Sequence, residues 1–321
     1  AQCADSAEFS HLMSTSPILS VTLLCLCITT GFCFVPNPLP NTQSFRGSTA
    51  SRIGSGSGAA CTMSLKGQRV LVTGAGKGIG RAIATICAEQ GADVAVFART
   101  GADVDSVAAE IREKYGTKAV SLVCDVTSEE QVQAAVSKAV AELGSIDILI
   151  NNAGQGCPKA DFQDQDVAAF RTLLDVNVVS VLLVTSTVLK AGGMLAATDR
   201  KRNIINISSK AGKQGLPKIL PYAASKFALE GMTASMATEL KESGIRVNSI
   251  SPGMVDTPGF PKPPGRAGVR APEAIRDGLM LLALGDMTGS YIHADELDAA
   301  AANGGDAMRC VKRIDEPDFK V

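Results

Sequence analysis

The sequence predicts an α/β protein built as one doubly wound domain, with helices on both faces of a mostly parallel sheet of seven strands. Three observations lead to this fold class. Short apolar runs alternate with helical stretches from residue 69 onward. The apolar runs are rich in β-branched residues and almost wholly apolar, as in the buried strands of a parallel sheet. The alternation continues with no longer internal repeat, which is typical of successive βαβ units.

The elements follow in a regular order along the chain. Six strands are predicted at residues 70–73, 93–97, 119–124, 146–150, 203–208 and 245–250. The helices between them are predicted from amphipathic segments at 78–90, 103–115, 128–143, 166–190 and 222–243. A Pro- and Gly-rich stretch at 258–272 precedes a helix at 272–285 and a short seventh strand at 289–293. No structure is predicted for the polar tail at 294–321.

Composition excludes several classes of protein. The 321 residues include 31 basic and 32 acidic side chains, which give a net charge of −1. This balance argues against a partner such as nucleic acid or anionic lipid that is held by bulk electrostatics. Hydrophobic residues make up 45% of the chain, so disorder is excluded for most of its length. One domain at 63–293 is predicted, with no stable membrane span.

Residues 1–62 are predicted to be a targeting segment. No Asp or Glu lies between Glu8 and Glu89, and residues 18–28 form an apolar run with the length of a signal-peptide core, short for a membrane span. A stretch rich in Ser and Gly follows, with Arg and without acids. The combination resembles the bipartite plastid presequences of algae. The alternatives left open are a secretory signal, a single membrane anchor, and a cytoplasmic protein that starts at Met63.

The few histidines and the placement of the cysteines exclude other chemistries. Five of the nine cysteines lie in residues 1–62, and the other four form no CxxC pair. Neither a disulfide framework nor a metal site is expected, and a reducing compartment is assumed. His11 and His293 are the only histidines, so His-based triads and HExxH hydrolases are excluded.

A glycine-rich loop directly follows the first predicted strand. Residues 73–80 read TGAGKGIG, in which Gly74, Gly78 and Gly80 have the spacing GxxxGxG. Glycine permits a tight turn and a close approach of the backbone, so the N-terminal amides of the next helix can meet a pyrophosphate. A turn that needs glycine only for its shape is the alternative. The position between the first strand and the first helix favours dinucleotide binding.

Three polar residues are predicted to converge at one edge of the sheet. Tyr222 and Lys226 are four residues apart on a predicted helix, so they share one face. Ser209 lies at the end of the preceding strand. Strand carboxyl ends and the helix N-termini that follow them line the crevice of a doubly wound sheet. Because a nearby ammonium favours a phenolate, Lys226 is expected to lower the pKa of Tyr222 and make it an acid–base group.

Together these motifs resemble the short-chain dehydrogenase/reductase family. The glycine loop, NNAG at 151–154, Ser209, YxxxK at 222–226 and PGMVDT at 252–257 occur in the family's order, over about residues 66–293. The resemblance implies a Rossmann-type fold. It also implies a nicotinamide-dependent oxidoreductase that acts on a carbonyl or a secondary alcohol, similar to carbonyl reductases and 3-oxoacyl-carrier-protein reductases.

The resemblance also implies roles for individual residues. Ser209 would hold and polarise the substrate oxygen, and Lys226 would bind the nicotinamide ribose. Asn177 would order a water that links Lys226 to solvent. Ser208 in place of Ser209, and a purely structural Asn177, are left open. The implied coenzyme-binding residues are Thr73, Gly74, Lys77, Gly78, Ile79, Gly80, Arg99, Asp125, Val126, Asn152, Ala153, Gly154, Tyr222, Lys226, Pro252, Gly253, Val255 and Thr257.

Charges at the end of the second predicted strand favour NADP(H) over NAD(H). Ala98 and Arg99 stand where an NAD-selective family member would present an acid, and Lys77 lies in the glycine loop on the other side. Two cations without a carboxylate suit a 2′-phosphate. A solvated Arg99 is the alternative. Asp125, with Val126, matches the family's adenine-flanking pair and is also suited to cap the third helix.

The predicted function is that of an NADP(H)-dependent carbonyl reductase or alcohol dehydrogenase that acts on CH–OH groups of a small molecule. A narrower alternative is a plastid 3-oxoacyl-[acyl-carrier-protein] reductase, with an acyl thioester as substrate. The stretch at 258–272 is expected to form a short lid over the substrate site. Its Lys262, Arg266 and Arg270 could then meet an acidic carrier protein, although a solvated loop explains them as well. An alternative of another class is a non-catalytic NADP(H)-binding sensor or scaffold.

The carboxyl-terminal end departs from the family pattern. The family's usual Val-Asp-Gly-Gly ending is replaced by Ala-Asp-Glu-Leu after His293. That ending commonly supports subunit contacts in the family, so a homo-oligomer is left open and the usual tetramer is in doubt.

Overall fold

The computed structural model describes residues 64–191, 193–195, 200–258, 261–262 and 266–314, and the predicted targeting segment lies outside this part of the chain. Its strands form one sheet. They are β1 (Arg69–Thr73), β2 (Asp93–Ala98), β3 (Ala119–Val123), β4 (Ile148–Asn151), β5 (Arg202–Ile207), β6 (Ile245–Ser251), β7 (Ser290–His293) and β8 (Val311–Arg313). The spatial order is β3-β2-β1-β4-β5-β6-β7-β8, and only β8 is antiparallel to its neighbour.

The helices alternate with the strands as predicted. They are α1 (Gly78–Glu89), α2 (Gly101–Tyr115), α3 (Glu129–Leu143), α4 (Val167–Leu174), α5 (Ser180–Ala191), α6 (Leu220–Glu239), α7 (Arg276–Leu284) and α8 (Ala294–Ala302). Two of them have a side-chain N-cap. The hydroxyl of Ser128 accepts from a backbone amide of α3, and the carboxylate of Asp166 accepts from two backbone amides of α4. Gly116 ends α2 in the left-handed conformation that glycine adopts without strain.

Two hydrophobic cores lie on the two faces of the sheet. Alternate strand residues face opposite sides, so that Val70 and Val72 join the core under α1, α2 and α7, whereas Leu71 joins the core under α3, α5 and α6. The order of strands reverses between β1 and β4, which places a topological switch point at their carboxyl ends. Ligands bind at that point in open α/β sheets.

The sheet has eight strands rather than the seven that the sequence predicts. The additional strand is β8, which pairs with β7 from the segment for which no structure was predicted. Helix α8 and a 3-10 turn at Ala307–Cys310 connect the two strands. Three residues with two cations give no hydrophobic period, so only the pairing with β7 makes β8 a strand.

The predicted helix at 166–190 is divided in the structure. A π-helical turn at Asp175–Val179 separates α4 from α5, and such turns occur frequently at functional sites. The continuous helical stretch Val167–Ala191 is long and apolar enough to cross a membrane, with a mean hydropathy of 1.9, and it is the one such helix among the described residues. The side chain of Asn177 on this stretch is hydrogen-bonded within the domain.

Candidate active site

The switch point between β1 and β4 is fixed by hydrogen bonds from Asn152. Its side-chain amide donates to the carbonyls of Thr73 and Gly74, at 2.9 and 3.1 Å. The hydroxyl of Thr73 accepts from the backbone amides of Asn152 and Ala153, both at 3.0 Å. The glycine loop is therefore tied to the NNAG segment, as expected if both line one crevice.

The glycine positions of this loop leave little room for a side chain. A Cβ atom at Gly80 would lie 2.2 Å from the carbonyl oxygen of Gly74 and 2.4 Å from the amide nitrogen of Asn152. Gly74 and Gly78 have positive φ angles of 64° and 54°. These glycines therefore serve both the turn and the close packing of α1 on the crevice.

The N-terminus of α1 fits a phosphate group. The residue that begins the helix, Lys77, makes no side-chain capping bond, and no acid lies in the first turn. The first backbone amides of α1 are therefore left to a ligand and form the positive end of the helix dipole. Thr257 approaches the same loop from the end of β6, since a Cβ at Gly78 would lie 3.0 Å from its side chain. These groups fit the pyrophosphate of a dinucleotide coenzyme.

One of the two cations predicted to bind a phosphate, Lys77, is paired with a carboxylate. Arg99 is exposed at the end of β2, but the ammonium of Lys77 lies 3.0 Å from a carboxylate oxygen of Asp103 in α2. Asp103 was not among the predicted coenzyme residues, because it does not lie next to the end of the second strand. The premise of two cations without a carboxylate is therefore wrong. The sequence does carry a signal for Asp103, which is an acid four residues after Arg99, in the first turn of the helix that follows.

Asp125 closes a turn instead of beginning a helix. Its carboxylate accepts from the backbone amide and the hydroxyl of Thr127, and these bonds, together with the nearby Arg99, lower its pKa. Ser128 caps α3 in its place. Val126 is buried beside it. Asp125 and Arg99 are thus neighbours at the carboxyl ends of β2 and β3.

Ser209, Tyr222 and Lys226 meet beside this crevice. The side chains of Ser209 and Tyr222 are hydrogen-bonded to each other. The ammonium of Lys226 donates to the carbonyl of Ile207 at 2.9 Å and lies 5.8 Å from the centre of the Tyr222 ring. The tyrosine and the lysine lie on one face of α6, as their spacing predicts. Ser208 is buried instead and faces Glu230, so Ser209 is the serine at the tyrosine.

The ionisation of the two catalytic candidates is governed by burial. Burial raises the pKa of Tyr222, and the hydrogen bond with Ser209 lowers it by less. Burial lowers the pKa of Lys226 to about 8, while the charge of Glu230 raises it. The expected net lowering of the tyrosine pKa by the lysine is therefore not found in this protein alone. At neutral pH the phenol carries its proton and can donate it.

Asn177 lies in the π-helical turn and is almost fully buried. Its amide nitrogen donates to the carbonyl of Gln155 and to the hydroxyl of Ser225, at 2.9 and 3.0 Å. Its amide oxygen accepts from the backbone of Gln155 at 2.8 Å. Ser225 in turn donates to the carbonyl of Tyr222. Asn177 therefore connects the segment after NNAG with the start of α6. Gln155, which directly follows NNAG, and Ser225, which directly precedes Lys226, were not among the predicted site residues.

The loop after β6 is fixed from the carboxyl-terminal side. Gly253 has a φ of 78°, which strains any other residue, and a Cβ there would lie 2.2 Å from the carboxylate of Asp295 and displace it. Arg270 bonds Asp295 at 2.5 Å and Asp298 at 2.6 Å, and its backbone forms a bridge with Val255. The predicted patch of three lid cations is thus reduced, because Arg270 is neutralised within the domain. The Asp295 contact follows from the long-range fold and has no local sequence signal.

The remaining implied coenzyme residues lie around the same crevice. Ile79 is half-buried against the core under α1, and Ala153 packs on the core under α5. A Cβ at Gly154 would lie 3.3 Å from the side-chain oxygen of Asn177. Pro252 is buried at the end of β6. These residues therefore lie at the carboxyl edge of the sheet, where they were predicted. The exception to the prediction is the environment of Lys77, whose charge is paired with Asp103.

A cavity of about 380 Å³ opens beside the tyrosine. Its walls include Gln155, Cys157, Phe170, Leu173 and Pro221, of which Pro221 directly precedes Tyr222. Asp164 and Asp166 also line it, and among the described residues no Lys or Arg does. The cavity thus offers a mostly apolar space whose charged wall residues are acids.

The fold and this site define a doubly wound, nicotinamide-dependent oxidoreductase. The family described as short chain dehydrogenase matches residues 68–263. The chain is 38% identical to the cis-4-hydroxycyclohexanecarboxylate dehydrogenase of Sinomonas cyclohexanicum over 234 residues, which cover 72% of this chain and 90% of that protein. The chain belongs to the short-chain dehydrogenase/reductase family.

Solved structures of the same fold carry either coenzyme. The 3-ketoacyl-(acyl-carrier-protein) reductase from Brucella melitensis, complexed with NADH, has a TM-score of 0.65 at 30% identity, covering 72% of this chain and 97% of that one. A single-residue variant of the actinorhodin polyketide ketoreductase, with NADPH, has a TM-score of 0.64 at 30% identity, covering 73% of this chain and 97% of that one. Similarity to these proteins therefore leaves the choice between the two coenzymes open.

Proposed function

We propose that this protein is an NADP(H)-dependent carbonyl reductase that uses Ser209, Tyr222 and Lys226, with Asn177 as their support. The observation that carries the proposal is the hydrogen bond between the serine and tyrosine hydroxyls, with a buried ammonium one helical turn behind them. This is the arrangement that a reaction producing an alkoxide requires, because a donor for the substrate oxygen and a proton source lie together.

Each residue has a distinct part in the proposed reaction. The reduced nicotinamide supplies a hydride when it is bound. Ser209 holds the substrate oxygen by a hydrogen bond, and Tyr222 donates its proton to that oxygen. Lys226 then stabilises the phenolate that remains. Asn177 holds the start of α6 and the segment after NNAG in fixed relation, so that these groups stay aligned.

The preference for NADP(H) is the second part of the proposal. The exposed guanidinium of Arg99 and the ammonium of Lys77 are cations that suit a 2′-phosphate. The carboxylate of Asp103 opposes them by pairing with Lys77. The carboxylate of Asp125 also lies near Arg99. The exposed guanidinium of Arg99 therefore favours NADPH by less than two unopposed cations would.

The cavity favours a small, mostly apolar carbonyl substrate. Its acids disfavour anionic groups at the same place, and this counts against a substrate with a phosphate held inside it. The alternative 3-oxoacyl-[acyl-carrier-protein] reductase keeps one supporting observation, which is the likeness to the Brucella protein. The neutralised Arg270 counts against an acidic carrier protein on the lid.

The test is oxidation of NADPH and NADH with a panel of carbonyl compounds. The panel contains small diketones, aldehydes, cyclic ketones and acetoacetyl thioesters. The proposal expects turnover with uncharged ketones and a higher kcat/KM for NADPH. A higher kcat/KM for NADH contradicts the coenzyme choice. Binding of NADPH without turnover of any carbonyl favours the sensor or scaffold instead.

The plastid location also stays a proposal, and it concerns residues 1–62 alone. Fusion of these residues to a fluorescent protein in an alga with complex plastids should direct the fusion to the plastid. Cytosolic or secreted fluorescence would contradict it.

A further inference from the structure

A second group of charged side chains is buried behind the catalytic lysine. Glu230 on α6 and Lys213, which follows the 3-10 turn at Lys210–Gly212, form an ion pair at 3.3 Å. Their side chains are only 6% and 10% exposed. The proposed reaction uses neither of them. The cost of desolvating two buried charges commonly equals or exceeds the attraction between them, so stability alone does not explain this ion pair.

The position of Glu230 follows the spacing of the catalytic residues. Tyr222, Lys226 and Glu230 are separated by four residues each, so all three lie on one face of α6. A Cβ at Gly212 would lie 2.9 Å from the carbonyl oxygen of Lys226 and 3.1 Å from Cγ of Glu230. The turn after β5 therefore packs directly on the helix between these two residues.

The carboxylate of Glu230 has partners from several elements. Ser249 on β6 donates to it at 3.0 Å, and the hydroxyl of Ser208, just after β5, faces it. The ionisable groups that face it are Lys226 on its own helix and Lys213 on the turn. Burial raises the pKa of Glu230, whereas these hydroxyls and the ammonium of Lys213 oppose that rise.

The counter-ion of Glu230 is held by the carboxyl-terminal strands. The ammonium of Lys213 donates to the carbonyl of Ile314, just after β8, at 2.5 Å. The same ammonium lies 5.0 Å from the centre of the Tyr291 ring on β7. The carboxyl-terminal segment with β7 and β8, which departs from the family pattern, therefore contacts Glu230 of α6 through Lys213.

We propose that Glu230 is a positioning residue for the reaction, which with Lys213 and the end of β8 keeps the ammonium of Lys226 charged and in place beneath Tyr222. The carboxylate attracts the ammonium along the helix, and the carbonyl of Ile207 accepts its hydrogen bond. Lys213 favours the ionised form of this buried carboxylate. This inference rests on the proposed function for its catalytic consequence, but not for the electrostatic contact.

The test measures the ionisation of Lys226 directly, without turnover. Lysine labelled with carbon-13 at Cε is incorporated into the full chain, and its chemical shift is followed against pH. The Lys226→Arg variant identifies the resonance. In the wild type we expect a midpoint near the pKa of about 8. In Glu230→Gln, loss of the carboxylate charge should lower the midpoint by about one pH unit.

The matched control is Ser249→Ala, which removes a hydroxyl from the same carboxylate and leaves its charge. Its Lys226 midpoint should stay close to the wild-type value. An unchanged midpoint in Glu230→Gln, in a protein that melts cooperatively, would overturn the proposal. Equal shifts in the two variants would also overturn it, because general disturbance of the packing would then explain both.

A second variant covers the case in which Glu230→Gln does not fold. Lys213→Met combined with Glu230→Gln leaves no unpaired charge behind, and neutral replacements of buried pairs are commonly tolerated. Its Lys226 midpoint should fall as well, by less than in the single variant, because the repulsion from Lys213 is lost too. A rise or no change in the double variant contradicts the proposal.

Activity separates this inference from the proposed function. If the protein reduces ketones, Glu230→Gln should lower kcat at pH 8 by about fivefold, which follows from a midpoint one unit lower, and should leave KM for the ketone unchanged. If no carbonyl compound turns over but the midpoint still shifts, the proposed function fails and the electrostatic role of Glu230 stands. If turnover is normal and the midpoint does not move, the role of Glu230 fails alone.

Discussion

The two halves of the sheet use charge in different ways. In the coenzyme half, around β1 to β3, the charged groups of the site lie at the surface, as Arg99 and Lys77 do, and the Lys77 side chain is 61% exposed. In the catalytic half, around β5 to β7, they are enclosed, and Lys226 and Glu230 are both at least nine-tenths buried.

The difference decides how much each group can contribute. Exposed charges are screened by water and salt, so a surface pair is worth about 0.2–1 kcal/mol. Buried charges interact through a lower dielectric, and the removal of one partner can cost several kcal/mol. The difference in affinity between NADPH and NADH should therefore be small and easily changed by substitution. Substitutions of the buried residues in the catalytic half should have large effects.

Tyr222→Phe should have the largest effect. It removes the phenolic proton donor that is hydrogen-bonded to Ser209, so we expect kcat for ketone reduction to fall by about 10²–10⁴-fold. Binding of NADPH, measured by fluorescence, should remain. The matched control is Tyr115→Phe, a half-buried tyrosine at the end of α2, and its kcat should be unchanged. Retained turnover in Tyr222→Phe would refute the mechanism.

Gly80→Ala should disturb the coenzyme half more than any change of charge there. The new Cβ would meet the carbonyl of Gly74 and the amide of Asn152, so the loop must shift. We expect the free energy of unfolding in urea to fall by about 1–3 kcal/mol, and NADPH binding to weaken with it. Gly231→Ala is the control, because a Cβ there meets nothing within 4 Å. Equal stability of the two variants would show that the loop yields without cost.

The sequence was sufficient for the parts of the site whose residues are neighbours along the chain. The glycine loop, the spacing of Tyr222 and Lys226, and all seven predicted strands have local signals, and the structure contains each of them. Strand β8 and the counter-ion of Glu230 could not be predicted, because both depend on partners far away in the chain. Lys213, for example, reaches Ile314 across 101 positions, and no periodicity encodes such a contact. Asp103 and Glu230 themselves do have local signals, since Asp103 lies four residues after Arg99 and Glu230 four after Lys226.

Asp103→Asn should change coenzyme affinity only slightly. Loss of the carboxylate frees Lys77 for a 2′-phosphate, so the Kd for NADPH should fall by up to about fivefold, with little change for NADH. The gain should shrink in high salt, because the Lys77 side chain is 61% exposed. The control is Asp105→Asn on the same helix, whose carboxylate accepts from Ser121. Equal gains for NADPH and NADH would place the phosphate elsewhere.

The smallest effect should come from His293, which is buried at the end of β7 and faces Asp295, Glu296, Lys210 and Lys312. Burial lowers its pKa below the unfolded value of about 6.5, so the unfolded chain binds more protons below that pH. Stability should therefore hold above about pH 6.5 and decline as the pH falls through the folded pKa. Urea unfolding of the wild type and of His293→Gln at a series of pH values measures this difference.

The pKa of Glu230 is shifted in the opposite direction, so its contribution to stability is lost as the pH rises. Because Glu230 is present in both proteins, its contribution cancels in the comparison. A pH dependence that is the same in both proteins would assign the acid sensitivity to carboxylates instead.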